Sequence, residues 1–308
     1  MKTLIRSLSM FGARFVLAAC GGGGGDGGGG GAPVTSPSNL DTSFGNGGKV
    51  VTDLDISLYS NSDGFPTNVA VLSDGKIVVA LSPYINDRRD FVLVRYNANG
   101  SLDTTFGTAG KVTTSFFSGL DQESGTGAIV IQRSRLPADD KIIVAGFARN
   151  GTNYYFAVAR YNYSGSLDMT FGSAGTGMEI TGFYNGQFAG AEAIALQANG
   201  MIVVAGWANN GADDDMAVAR YTANGLLDTS FNDSLVSCLL NRPCRGRLVS
   251  QRVGSDRAQD VVVQSTGRIV LAGPVWDSTR SRFALARYLA NGSLDTSFGG
   301  TGTVLTGF

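Results

Sequence analysis

The residues that could do chemistry are few, and histidine is not among them. The chain has 308 residues, no histidine and three cysteines. Without imidazole there is no Ser-His-Asp or Cys-His relay and no His-ligated zinc or haem, and three cysteines cannot form a four-thiolate metal site. Acid–base chemistry would have to depend on carboxylates. Because no catalytic constellation is recognisable, we predict a protein that is not an enzyme and that holds no cofactor.

Two groups of carboxylates are the alternative candidates for a cation site or for catalysis. The acidic run Asp213, Asp214 and Asp215 is typical of a solvated loop, and the alternative is a calcium or other cation site. The second group is Asp121 with Glu123. Either group could serve a carboxylate-dependent hydrolase or lyase acting on an extracellular polymer, which is the alternative to a binding protein.

Aromatic and basic residues supply the remaining binding candidates. Trp207 and Trp276 each follow an apolar run and are either exposed aromatics that stack on sugars or peptide rings, or buried loop anchors. With the acidic run they are the predicted ligand-binding residues. One basic patch is present, for which a solvated face is the favoured interpretation, and its members are Arg242, Arg245, Arg247, Arg252 and Arg257.

Four arginines each precede an aspartate by eight positions. An active site is needed once, whereas a packing solution is needed in every repeat. The spacing therefore predicts structural ion pairs rather than a ring of arginines around an anion, and the pairs are Arg95 with Asp103, Arg160 with Asp168, Arg220 with Asp228, and Arg287 with Asp295.

The chain contains one unit written four times. The segment LDTSFG at residue 40 recurs in variant form at residues 102, 167, 227 and 294, at intervals of 62, 65, 60 and 67 residues. A KIVVA-type run and an ARY-type run keep the same order in every unit. Asp74-Gly75 and Asn199-Gly200 lie between apolar runs, which indicates tight hairpins. Each unit is therefore predicted to form four strands.

The strands are apolar almost continuously, so both faces of each small sheet must be covered by neighbouring sheets. The sequence therefore predicts an all-β, β-propeller-like array of four four-stranded antiparallel blades, at about 67–114, 128–181, 191–239 and 258–306. In the third blade an insertion with Cys238 and Cys244 is expected to replace the fourth strand. An additional strand at 48–52 closes a small ring, leaves an open arc, or pairs across a dimer.

These markers resemble the delta-60 repeat, a bacterial repeat assigned to a β-propeller domain of unknown function. The resemblance covers residues 40–308. It implies a propeller fold and a bacterial setting, and it implies no activity.

Residues 1–19 have the pattern of an export signal, with Lys2 and Arg6 before an apolar stretch. The segment Leu17–Cys20 resembles a lipobox, which implies a lipid on Cys20. Residues 20–39 would then be a glycine-rich tether and residues 40–308 the propeller domain. In the lipoproteins that this segment resembles, an aspartate directly after the cysteine favours the inner membrane. The resemblance therefore implies the outer membrane here, because that position is Gly21. On that oxidising side of the cell we predict a disulfide between Cys238 and Cys244.

Charge excludes one class of partner. The chain has 24 basic and 25 acidic residues, and removing residues 1–19 with their three basic side chains leaves 21 against 25, a net charge of −4. We therefore predict no nucleic-acid partner. The membrane would be reached through the lipid alone, and the partner would be a protein or glycan bound by the loops that differ between blades. A purely structural envelope protein is a further alternative, and the oligomeric state stays open.

Overall fold

Four four-stranded antiparallel sheets form the body of the protein. The computed structural model describes residues 4–11, 14–20, 40–53, 68–85, 88–119, 122–184, 188–232, 245–250, 254–276 and 279–307. In every blade the strands pair in the order in which they follow one another along the chain, so each blade is a meander. This confirms the predicted all-β, four-blade propeller-like architecture.

The blades follow one another along the chain. Blade 1 contains β4 (Asn68–Val71), β5 (Ile77–Leu81), β8 (Phe91–Tyr96) and β9 (Lys111–Thr114), with a small hairpin of β6 (Tyr84–Ile85) and β7 (Arg88–Arg89) between β5 and β8. Blade 2 contains β10 (Gln122–Gln132), β11 (Lys141–Asn150), β12 (Asn153–Tyr161) and β13 (Met178–Thr181). Blade 3 contains β14 (Ala189–Leu196), β15 (Ile202–Asn209), β16 (Asp214–Tyr221) and β17 (Arg247–Val249). Blade 4 contains β18 (Asp260–Val263), β19 (Ile269–Trp276), β20 (Ser281–Tyr288) and β21 (Thr303–Thr306).

Continuous apolar strands are buried on both faces, as expected. Every residue of β5 and β8 is buried. Three apolar clusters each join one blade to the next: Phe91 of blade 1 packs with Tyr161 of blade 2, Phe156 with Tyr221 of blade 3, and Met216 with Tyr288 of blade 4. At about 25 cal/mol per Å² of buried apolar surface, this stacking is the main source of stability.

The connection between the third and fourth strands is pinned by the same contacts in each blade. Arg95 Nε lies 2.7 Å from Asp103 Oδ2, and the Arg95 guanidinium lies 4.5 Å from the Phe106 ring centroid. Arg95 also donates to the carbonyl of Tyr163 in blade 2. Both charges of the pair are therefore engaged within the scaffold, and the corresponding separations are 2.9 Å for Arg160–Asp168, 2.6 Å for Arg220–Asp228 and 2.8 Å for Arg287–Asp295.

These aspartates predict how stability depends on pH. Burial would raise the pKa of Asp103, Asp168 and Asp228. For Asp103 the hydrogen bond from Lys76, and for all three the hydrogen bonds from neighbouring hydroxyls and amides and the facing arginines, outweigh burial and hold each pKa below its usual 3.8. A depressed pKa stabilises the fold above the unfolded value and loses that contribution as the pH falls through the folded value. We expect a melting temperature unaffected by these groups above about pH 4 and falling steeply below it.

The melting temperature, followed by circular dichroism from pH 7 to pH 2, measures this dependence. Asp228→Asn should melt lower at pH 7 and lose less than the wild type on acidification. An equal loss in the two proteins would contradict the assignment.

The prediction that blade 3 lacks its fourth strand is wrong. β17 pairs with β16 in the same register as the fourth strands elsewhere. Gly246 has a φ of +82°, and its carbonyl accepts from Arg220 N at 2.9 Å, as the carbonyl of Gly110 accepts from Arg95 N at 3.1 Å. The insertion lies before the strand, so the strand is displaced along the sequence and not replaced.

The chain before blade 1 also forms strands. β3 (Lys49–Asp53) pairs with β2 (Arg14–Cys20), which pairs with β1 (Leu4–Phe11). Phe44 and Val50 pack on Ile77 and Val79 of blade 1. Within the described ranges no apolar cluster joins blade 4 to blade 1.

Several predicted residues lie outside the described ranges: Asp121, Cys238, Arg242, Cys244 and Arg252. The disulfide therefore stays a prediction. No helix in the described part of the chain is long and apolar enough to cross a membrane.

Candidate active site

The blades present two rims with different content. Turns between the first and second strands and between the third and fourth strands form one rim, which repeats from blade to blade. The loops between the second and third strands, and those between blades, form the other rim, which we call the variable rim. In blades 3 and 4 the variable rim brings together side chains from three separate segments. They are Glu192 in β14, Trp207 and Asp214 in the β15–β16 hairpin, and Arg257 before β18.

Glu192 lies at a β-bulge in the innermost strand of blade 3. The β14–β15 register shifts between Ala191 and Ala193, so Glu192 is the additional residue and turns out of the ladder. The equivalent bulge in blade 2 holds Gly127, a position where a Cβ would lie 2.0 Å from the carbonyl oxygen of Ala191. Blade 3 therefore has a carboxylate where blade 2 has no side chain.

Arg257 connects the two sides of the cluster. Its guanidinium lies 4.3 Å from the Trp207 ring centroid, and its Nε donates to Asp214 Oδ2 at 2.9 Å. Asn209 Nδ2 donates to the other oxygen of Asp214 at 2.8 Å. Asp214 and Arg257 are 13% and 43% exposed, so the pair is open to solvent on the Arg257 side. Asp214 is held as an oriented carboxylate at the edge of the variable rim.

The environment of Glu192 favours its protonated form. Burial is the largest cause of its raised pKa, and the negative charge of Asp214 adds to it. Arg257 and the hydrogen bond from Trp207 act in the opposite direction without cancelling the rise. Two carboxyl groups thus sit near one arginine and one indole, and their surroundings favour an acid at Glu192. A carboxyl group with a raised pKa beside a second carboxyl group is an arrangement used in general acid–base catalysis by carboxylates.

The other members of the acidic run are engaged in shaping the loop. Tyr184 Oη donates to Asp215 Oδ2 at 2.8 Å, and Asn210 Nδ2 reaches the same oxygen at 3.0 Å. Burial and the hydrogen bond to Asp215 raise the pKa of Tyr184, whose backbone is at a φ of +32°. Asp213 accepts from the backbone N–H of Gly254 at 3.1 Å. In the described ranges no group of three or more acidic or cysteine side chains is arranged to hold a metal ion.

Glu123 belongs to a separate aromatic cluster in blade 2. Tyr154 Oη donates to Glu123 at 3.4 Å, and Arg149 lies 3.7 Å from the same carboxylate oxygen. The Tyr154 ring lies 5.0 Å from that of Phe188, which is 50% exposed. This cluster offers an aromatic surface rather than a pair of carboxyl groups.

The structure therefore brings together only part of the predicted set. Trp207 and Asp214 share one cluster, whereas Trp276 is 47% exposed on blade 4 and is not in that cluster. Glu192 was missed, although a glutamate in an otherwise apolar inner strand, at a position not repeated between blades, was a usable signal. Arg257 was assigned to a solvated patch, and Arg247 of the same patch donates to the carbonyl of Gly182.

Comparison with known proteins gives the type of repeat. Residues 72–106, 138–171, 197–231 and 264–298 match the model described as "Domain of unknown function (DUF5122) beta-propeller". The four matched segments are therefore similar to this β-propeller repeat. Each match begins at the turn before the second strand of a blade and ends at the phenylalanine after its third strand, so it covers the repeated rim. No curated protein matches the chain.

Solved structures align with the chain at low similarity. A protein of Bacteroides thetaiotaomicron described as a glycosidase is 10% identical with a TM-score of 0.31, over 92% of this chain and 86% of that one. A glycoside hydrolase of Parabacteroides distasonis is 9% identical with a TM-score of 0.34, over 92% and 86%. A glycosyl hydrolase of Bacteroides ovatus is 10% identical with a TM-score of 0.32, over 92% and 84%. Matches at this level transfer no residue role and no substrate.

The prediction that the protein is not an enzyme is corrected by these findings. The three proteins named above are described as a glycosidase, a glycoside hydrolase and a glycosyl hydrolase. The physical error lay in the premise, because hydrolysis of a glycosidic bond needs two carboxyl groups and no histidine.

Proposed function

We propose that the protein is a carboxylate-dependent enzyme that acts on an extracellular glycan at the variable rim of blades 3 and 4. The observation that carries the proposal is Glu192, a carboxyl group whose environment favours the acid, placed with the Asp214–Arg257 pair against Trp207. These residues are not repeated between the blades, as expected of a site that is needed once. Binding of a protein or glycan without turnover is the competing function of the same rim.

Each residue has a distinct role in this proposal. Glu192 donates its proton to the glycosidic oxygen as that bond breaks, and Asp214 accepts a proton from the attacking water. Arg257 orients Asp214, because it donates from Nε and Nη2 to one carboxylate oxygen. The indole of Trp207 holds Glu192 through its N–H and offers an apolar ring beside the site, a surface to which sugars bind.

The test is the release of new reducing ends from a panel of neutral and acidic polysaccharides. The wild type should cut at least one member, and a double variant, Glu192→Gln with Asp214→Asn, should cut none while keeping its melting temperature. If no polymer is cut but one is retained on affinity gels, the protein binds without turnover. Equal product from the wild type and the double variant would place the chemistry elsewhere.

We also propose that the chain is an envelope lipoprotein with its lipid on Cys20 and its propeller domain outside the cytoplasm. Lys2 and Arg6, the Leu17–Cys20 segment and the glycine-rich stretch after it support this. Processing at Cys20 would remove β1 and all of β2 but Cys20, and would free an edge of β3. Cys20→Ala should move the protein from the outer-membrane fraction to the soluble fraction. Unchanged fractionation would contradict the lipid anchor.

A further inference from the structure

Each joint between two successive blades is built from one set of contacts, which repeats from blade to blade. The phenylalanine that ends one unit packs on a glycine of the next: a Cβ on Gly165 would lie 2.9 Å from Phe106, and one on Gly225 would lie 2.6 Å from Phe171. The residue after the phenylalanine donates its N–H to the next unit, as Gly107 does to Ser164 O at 2.9 Å. A joint therefore has an outgoing face, on the earlier blade, and an incoming face, on the later blade.

The outgoing face of blade 4 carries the same groups, and none of the described blades covers it. Phe283 is 41% exposed, whereas its equivalents in the other blades, Phe91, Phe156 and Met216, are at most 2% exposed. Burial along β19 alternates, whereas the first five residues of β15 are all buried. The Arg287 side chain is 20% exposed, against 1% for Arg95. The sheet thus presents an apolar face of the composition that is buried at the three other joints.

The incoming face of blade 1 is covered by a short segment instead of a blade. Phe44 packs on Gly100, where a Cβ would lie 3.1 Å from its ring, and Gly45 N donates to Asn99 O at 2.8 Å. Thr52 Oγ1 lies 2.6 Å from Tyr96 Oη, like Thr114 and Tyr161 at the next joint at 2.8 Å. Residues 40–53, which we call the cap, therefore make the contacts that the end of a preceding blade would make.

The cap has the sequence of the end of blade 4. Residues 40–45 and residues 294–299 are both LDTSFG, and each segment continues into a short strand, β3 or β21. The two segments thus carry the same residues at the positions that contact blade 1. In the described ranges that face holds the cap, and no cluster holds blades 1 and 4 together.

From this exchange we propose that the outgoing face of blade 4 docks onto blade 1 of a second copy of the chain, displacing the cap of that copy. The contact is head-to-tail and continues the three joints within the chain, so it buries Phe283 and seats Phe298 on the partner's Gly100. The cap limits association, because it must leave before the second copy docks. The inference is independent of the proposed glycan chemistry.

Sedimentation velocity of the full chain with Cys20→Ala, over a range of concentrations, tests the docking. The mass should rise with concentration. Phe283→Asp should keep the protein as a single chain, because a carboxylate on the face cannot be buried unpaired. Thr52→Val removes the hydrogen bond to Tyr96 and weakens the cap, so the midpoint of association should fall about tenfold in concentration.

Matched variants keep the result interpretable. Ile180→Asp adds the same charge at a 39% exposed apolar residue of blade 2 and should leave the association unchanged. Melting temperatures check that each variant is folded. A wild type and Thr52→Val that both stay single chains at every concentration would overturn the proposal, as would association that survives Phe283→Asp. A single chain that is destabilised by Phe283→Asp would indicate closure within one chain and would also overturn it.

Discussion

Replacing Glu192 by glutamine is expected to lower turnover of the glycan substrate by about 10²- to 10⁴-fold, the usual contribution of a general acid. The amide keeps the shape of the side chain and can still accept from Trp207, but it has no proton to donate. Substrate binding should change little, so the loss should appear in kcat rather than in KM. Initial rates of reducing-end release at saturating substrate measure it.

The matched control is Glu179→Gln. Glu179 lies in β13 of blade 2 and accepts from the backbone N–H of Ser173 at 2.6 Å, far along the chain from the site. It makes the same chemical change and should leave kcat unaltered. The pH profile adds a second criterion: the wild-type rate should fall as the pH rises through the pKa of Glu192. If Glu192→Gln loses the descending limb of the pH profile but keeps the wild-type rate, Glu192 is not the acid.

Arg220→Met is expected to destabilise the protein by about 3–5 kcal/mol. It leaves the buried carboxylate of Asp228 without its cation, and this is the cost of breaking a buried ion pair from one side. Blade 3 has Met201 where blade 1 has Lys76, which lies 2.8 Å from Asp103. Among the described residues, Arg220 is the cation that pairs with Asp228. Urea denaturation gives the free energy of unfolding.

Arg287→Met in blade 4 is the control for this effect. Asp295 keeps Arg268 at 3.0 Å, and the Arg287 side chain is 20% exposed, so the loss should be much smaller than that for Arg220→Met. If the two variants lost comparable free energy of unfolding, burial would not be what makes these ion pairs stabilise the blades.

The scaffold could be predicted because its residues recur. Five copies of the LDTSFG-type segment and four Arg–Asp spacings fix the number of blades and the residues that pin them, since packing repeats wherever the joint repeats. The fourth strand of blade 3 was missed because an insertion separated β17 from the marker that precedes it elsewhere. Backbone hydrogen bonding, which sequence spacing does not reveal, restores the register.

The candidate site was harder to predict because it is assembled once from distant segments. Trp207 and Asp214 stand out by residue type, but their relation to Arg257 depends on how blade 4 packs on blade 3. Glu192 joins the cluster because a β-bulge turns its side chain out of the strand ladder. The periodicity of apolar residues in the sequence does not reveal a bulge. The exposure of Phe283 likewise depends on whether a further blade packs against blade 4, and its own sequence is that of a buried strand.

The proposed acid can be tested without a substrate by titrating Glu192 and recording the fluorescence of Trp207. The chain has two tryptophans, so Trp276→Phe leaves Trp207 as the sole indole, which donates to Glu192. We expect a titration midpoint above the ordinary 4.5. The midpoint should fall in Asp214→Asn, because that change removes a negative charge. The transition should disappear in Glu192→Gln. A midpoint at or below 4.5, unmoved by Asp214→Asn, would contradict an acid held at this site.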